Sequence, residues 1–118
     1  MQLKIITRKA LYLMLTTPHQ TTMKYTASRL SEGNKVFPAE IYTEENGVTI
    51  KVPGLFSGDT TTIAYESISA VEIDTPMIGF STIRFYHSGN KVEAHGFTKN
   101  DVEEIKDYIE SGRSRARG

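Results

Sequence analysis

From Lys35 to His95 the apolar residues return with a period close to two, and turn residues cut the pattern every few positions. Successive side chains of a strand point to opposite sides, so this pattern restricts the chain to short strands that bury one face and wet the other. Phe37, Ala39 and Ile41 alternate with Pro38, Glu40 and Tyr42; Glu44-Glu45-Asn46-Gly47 follows, and Val48, Ile50 and Val52 resume the alternation. Asn-Gly is expected to supply the positive φ angles of a tight hairpin turn. Pro38 cannot donate to a ladder, which assigns its strand to a sheet edge or a bulge.

After Pro53-Gly54 the pattern continues with Thr61, Ile63 and Tyr65, then Val71 and Ile73 opposite Glu72 and Asp74. Thr75-Pro76 breaks that strand. Gly79 to Tyr86 forms the next, with Ile83 and Phe85 inward, and His87-Ser88-Gly89-Asn90 turns the chain into Lys91 to His95. Six strands are legible; Tyr25 to Leu30, with its Thr-Ala-Ser-Arg content, gives only a weak signal for a seventh.

A single helix follows. Thr98 is a good N-cap, Asp101 places an acid at the positive helix end, and Phe97 and Val102 occupy the two positions of a hydrophobic staple. Val102, Ile105 and Ile109 make one apolar stripe, and Gly112 is expected to end the helix. The stripe predicts that the helix covers an open end or one face of the sheet.

The chain has 118 residues, enough for one domain with its own core, and no cysteine. Disulfides, thiolate catalysis and cysteine-ligated metals are thereby excluded. Formal net charge is zero but segregated. Residues 1–22 carry Lys4, Arg8 and Lys9 without an acid, and 111–118 carry Arg113, Arg115 and Arg117 without one. Between them eight basic residues face 14 acidic ones. Such a body repels nucleic acid, so no nucleic-acid partner is expected; only the two ends attract anions.

Ala10 to Leu15 behind a basic stretch superficially resembles a secretory leader, but the run is shorter than a leader usually has and no small-x-small cleavage pattern follows it before Pro18, so a leader is the lesser expectation; a membrane span is excluded by length. Two readings of residues 1–22 stay open: a basic, apolar extension that lies upstream of a start at Met23 or forms a flexible arm, or a short helix docked on the domain. The expected organisation is this extension, a domain over 23–111, and a basic flexible tail over 112–118. The absence of disulfides and of glycosylation sequons makes the cytoplasm the expected location.

Tyr65-Glu66-Ser67-Ile68-Ser69-Ala70-Val71, then Gly79 through Phe85, Ser88 to Glu93 and the helix from Lys99 to Ile109 together resemble the second half of small bacterial pleckstrin-homology-like domains. The likeness extends over roughly residues 38–110 and carries no catalytic signature. It implies an α+β, mostly β fold: a partly open antiparallel sheet sandwich of seven strands, capped by one C-terminal helix. Lipid-binding relatives hold inositol phosphates with Lys and Arg around the first hairpin. This chain has Glu44-Glu45-Asn46-Gly47 in the hairpin read as the first, with only Lys51 near, which argues against phosphoinositide binding there.

No catalytic constellation emerges. His87, His95 and Glu93 could hold a metal, but no third ligand stands at a defining spacing, and exposed hairpin histidines are the plainer reading. Ser81, Ser88 and Thr60-Thr61-Thr62 lack a nucleophile elbow, and Gly54, Gly58 and Gly79 do not precede a helix as a phosphate loop would. Glu72 and Asp74 are read as a solubilising pair facing Lys51 or Arg84. No enzyme activity, metal or cofactor is expected.

Two loops stand out. Leu55-Phe56 follows Pro53-Gly54, and Met77-Ile78 with Phe80 follows Thr75-Pro76, where loops usually carry polar residues. They are either plugs over the open ends of the sheet or exposed contacts. The second reading gives a non-catalytic interaction module that binds a protein partner or itself through Leu55, Phe56, Met77, Ile78 and Phe80. An exposed Pro38 strand could add strand pairing. The alternative is a peripheral module that touches anionic membrane weakly through its basic ends.

Overall fold

The alternation is realised as two antiparallel sheets. The structure, a computed structural model, describes residues 22–31, 38–53 and 59–117. The first sheet has the order β1 (Met23–Thr26), β2 (Glu40–Thr43), β3 (Gly47–Val52), β4 (Asp59–Ala64). The second has the order β5 (Ile68–Asp74), β6 (Ser81–His87), β7 (Asn90–Phe97). A single 3-10 turn, Tyr65–Ser67, carries the chain from one sheet to the other, and helix α1 (Lys99–Arg117) closes the molecule.

Inward residues come from the strands as the period of two requires. Ile41, Val48, Ile50, Ile63, Ile83 and Phe85 are buried between the sheets. The helix adds Val102, Ile105 and Ile109, each fully buried, and each side chain contributes about 2 kcal/mol of apolar burial. Its start is built as the sequence predicts: the Thr98 hydroxyl accepts the Asp101 N–H at 3.2 Å, and Phe97 and Val102 are both buried.

Four expectations need correction. Seven strands are present among the described residues, because Met23 and Tyr25 face inward and Lys24 and Thr26 outward, forming a short β1 that pairs from Met23↔Thr43 to Thr26↔Glu40. The weak signal over Tyr25 to Leu30 thus marks the end of a strand and the turn after it. Pro38 precedes β2, which begins at Glu40 and is paired on both sides by β1 and β3, so this strand is neither an edge nor open to a partner.

Gly47 does not adopt a positive φ; among described residues that conformation falls on Ser88, Gly79, Gly89 and Gly96. Glycine is needed at 47 for closeness, since a Cβ there would lie 2.5 Å from the Ile63 carbonyl oxygen across the ladder. Ser88 and Gly89, at φ 50° and 78°, supply instead the left-handed pair of the β6–β7 hairpin.

Finally, Gly112 does not end the helix. The helix runs through it to Arg117, where the sequence suggests a flexible tail. A side chain at 112 would overlap the Tyr65 ring, so the glycine is a seat for that ring.

Candidate interaction surfaces

The β5–β6 connection, residues 75–80, is pinned at its base. Thr75 Oγ1 and Ser81 Oγ lie 2.9 Å apart, Ser81 is buried, and Gly79 turns the chain with φ 110°. Thr75-Pro76 ends β5 and only a glycine accepts the return turn easily, so the two residues between them are pushed outward. Met77 and Ile78 are 101% and 90% exposed. Such large apolar side chains on a braced loop neither plug the sheet nor contribute to the core. Phe80 is half-buried. The structure thus brings Met77 and Ile78 together at a tip; Leu55 and Phe56 lie outside the described residues.

Sequence reasoning missed Leu30, which is 86% exposed in the turn after β1. Its N–H donates to Ser28 Oγ at 3.1 Å, and the Ser28 N–H donates to the Gly96 carbonyl at 2.8 Å. One large aliphatic among Ser28-Arg29 and Ser31-Glu32 was the available signal.

The outer face of the second sheet carries a polar ladder. Arg84 stands on β6 opposite Glu72 of β5 and Glu93 of β7. Its guanidinium donates to Glu93 and lies 3.9 Å from Asp74. That bond holds the Glu93 carboxyl below the usual carboxylate range. Tyr86 donates to Glu72 at 2.8 Å, and His95 lies 3.4 Å from Glu93 and 2.8 Å from Thr82. His87 sits at the opposite end of this hairpin, paired with Asn90, so the two histidines do not converge. No three potential ligands cluster for a metal among the described residues. Glu72 and Asp74 face Arg84 as expected; Lys51 is on the other sheet, 5.2 Å from the Tyr42 ring.

At the far end of the first sheet, three successive carbonyls are gathered. Tyr65 donates its hydroxyl to the Glu44 carbonyl and its N–H to that of Asn46 at 3.1 Å, and Arg115 donates to that of Glu45 at 3.2 Å. Burial pushes the Tyr65 hydroxyl up to about 12. A cleft of about 320 Å³ opens beside these groups, lined by Glu45, Asn46, Glu66 and Arg115 among others.

A four-stranded and a three-stranded antiparallel sheet closed by a C-terminal helix define the pleckstrin-homology-like fold. No protein-family model matches this chain, and no curated protein matches it. Among solved structures it is similar to a DUF1696 family protein with a pleckstrin-homology domain from Shewanella loihica PV-4, at TM-score 0.53 and 15% identity, over 88% of this chain and 89% of that chain. It overlaps less closely with a chain of the 8S snRNP assembly intermediate, at TM-score 0.43 and 11% identity, over 80% and 92%.

The seventh strand changes which hairpin is the first. Glu44 to Gly47 joins β2 to β3 and is the second hairpin; the first hairpin's connection is residues 27–39, where Arg29 is exposed. The acidic hairpin read from the sequence as the first is therefore the second. Among the described residues no helix is long and apolar enough to cross a membrane.

Proposed function

We propose that this chain is a non-catalytic interaction module that engages protein through the Met77–Ile78 tip. The observation that carries the reading is the near-complete exposure of both side chains on a loop braced by Thr75 and Ser81. A pair held ready on a rigid base loses little conformational freedom when it enters a partner's pocket, which favours association. The acidic body and the absence of cysteine fit a cytoplasmic module.

The test is the double variant M77D/I78D in the full chain, compared with wild type by quantitative pull-down and by light scattering at low and high salt. Both positions are solvent-facing, so the fold is expected to survive within about 0.5 kcal/mol. A protein that binds wild type and fails to bind the double variant supports the reading. Identical partners and oligomeric state reject it. Salt-sensitive pelleting with anionic vesicles that the double variant abolishes reassigns the tip to membrane binding instead.

A further inference from the structure

The two sheets present four edge strands among the described residues, and three of them are guarded. β1 has only four residues and carries Lys24, which pairs with Glu40 at 3.3 Å. β5 carries Glu72 and Asp74 and a register shift between Ile68 and Ala70. β7 carries Lys91, Glu93 and His95 and an irregularity near Gly96, whose carbonyl is taken by Ser28. Charges, shortness and bulges are the devices that keep sheet edges from pairing.

β4 has none of them. It pairs with β3 without a register shift over six residues, Asp59 is its only charge, and Thr60-Thr61-Thr62-Ile63-Ala64 is an uncharged run of residues that mostly favour strands. Tyr65 N–H donates to the Asn46 carbonyl, one step beyond the Gly47↔Ala64 pair, so the bonded pairs of this ladder are 48/63, 50/61 and 52/59. Thr60, Thr62 and Ala64 therefore aim their N–H and C=O groups away from β3, and all three are exposed.

We propose that this chain forms a two-fold dimer by antiparallel pairing of β4 with β4 of a second copy, centred on Thr62. In that register Thr62 meets Thr62 and Thr60 meets Ala64, so the outward groups of both strands satisfy one another. Thr61 falls opposite Ile63 on the inner side. Asp59 lies opposite Tyr65, past the end of the strand, so the two acids never face each other. Among copies of an acidic body, this neutral edge is where approach costs least. The Thr62 hydroxyl is already held by Thr49, 3.0 Å away on the outer face. This surface is separate from the Met77–Ile78 tip and stands independently of it.

A single strand pair buries little area, so the dimer is weak and needs protein concentrations up to about 1 mM to be seen. Sedimentation equilibrium of the full chain is the test. Wild type should dimerise with concentration. T62K sets two ammonium groups against each other across the axis and should raise the dissociation constant about tenfold or more. T62P removes an N–H that the β3 ladder does not use and should act in the same direction. In wild type, the amides of Thr60, Thr62 and Ala64 should exchange more slowly at high than at low concentration. M77D/I78D should leave the dimer intact. A wild-type monomer throughout that range overturns the proposal, as does a dimer that T62K leaves unchanged or that only M77D/I78D removes.

Discussion

Replacing Gly112 with alanine tests how the helix meets the sheets. In a free helix this change is favourable by about 1 kcal/mol. Here the new Cβ would stand 2.1 Å from Tyr65 Cδ2, 2.6 Å from Cε2 and 2.7 Å from Cγ. The ring cannot simply step aside, because Tyr65 is 2% exposed and its hydroxyl is tied to the Glu44 carbonyl. Overpacking of this kind costs about 1–3 kcal/mol, and losing the hydroxyl bond adds about 1 kcal/mol. Against the propensity gain the net expectation is a loss of about 2 kcal/mol. At about 4 °C per kcal/mol, the melting temperature falls by about 8 °C. Urea denaturation followed by circular dichroism measures it, and the partner experiment is the same substitution in a Tyr65→Ala background. With the ring gone, Gly112→Ala should become stabilising by about 1 kcal/mol, a reversal of sign that isolates the interaction. An alanine that raises the urea midpoint in the wild-type background would show that the ring does not occupy the seat described.

Gly47→Ala should destabilise by about 2 kcal/mol in the same assay, because the atom it strikes at 2.5 Å is backbone within a ladder and cannot rotate away; a change below about 0.5 kcal/mol refutes the close approach. Alkaline pH offers a further check. Burial raises the Tyr65 hydroxyl from its ordinary 10 to about 12, and burial together with Glu104, which accepts from the hydroxyl at 2.6 Å, raises Tyr25 as well. The folded state then holds these protons after the unfolded chain has released them. Stability is complete below pH 10 and falls by about 1.4 kcal/mol per pH unit for each tyrosine above it. Urea midpoints at successive pH values should show the slope, and Tyr65→Phe should lessen it; an unchanged slope removes Tyr65 from the account.

Where the chain alternates for six or more residues, the sequence is a sufficient guide. Val48 and Ile50, Ile83 and Phe85, and the Val102–Ile105–Ile109 stripe all face inward as their spacing predicts, because a long amphipathic run has only one way to bury its apolar side. β1 is harder: in Met23–Thr26 the alternation completes only two cycles before a polar turn dilutes it. Glycine misleads twice for one reason. Local backbone habits make Gly47 a turn and Gly112 a stop, whereas Ile63 and Tyr65 require them small, and neither neighbour is near in sequence. The tip is legible as apolar residues beside Thr75-Pro76, but whether Met77 and Ile78 point out or in depends on the Thr75–Ser81 brace and the Gly79 turn.

The bonds that Tyr65 and Arg115 make to Glu44, Glu45 and Asn46 bring together the link between the sheets, the last turns of the helix and a hairpin made long before them. During synthesis the Glu44 and Asn46 carbonyls find their donors in Tyr65, whereas the Glu45 carbonyl waits for a guanidinium encoded 70 positions later. Both sheets can zip as they appear, but the contact of the last helical turns with this hairpin is completed only after residue 115 leaves the ribosome. The domain is thus assembled from its strands and covered by its helix, and a nascent chain halted before Lys99 lacks the Val102, Ile105 and Ile109 side chains that complete the core around Ile41, Ile63 and Phe85.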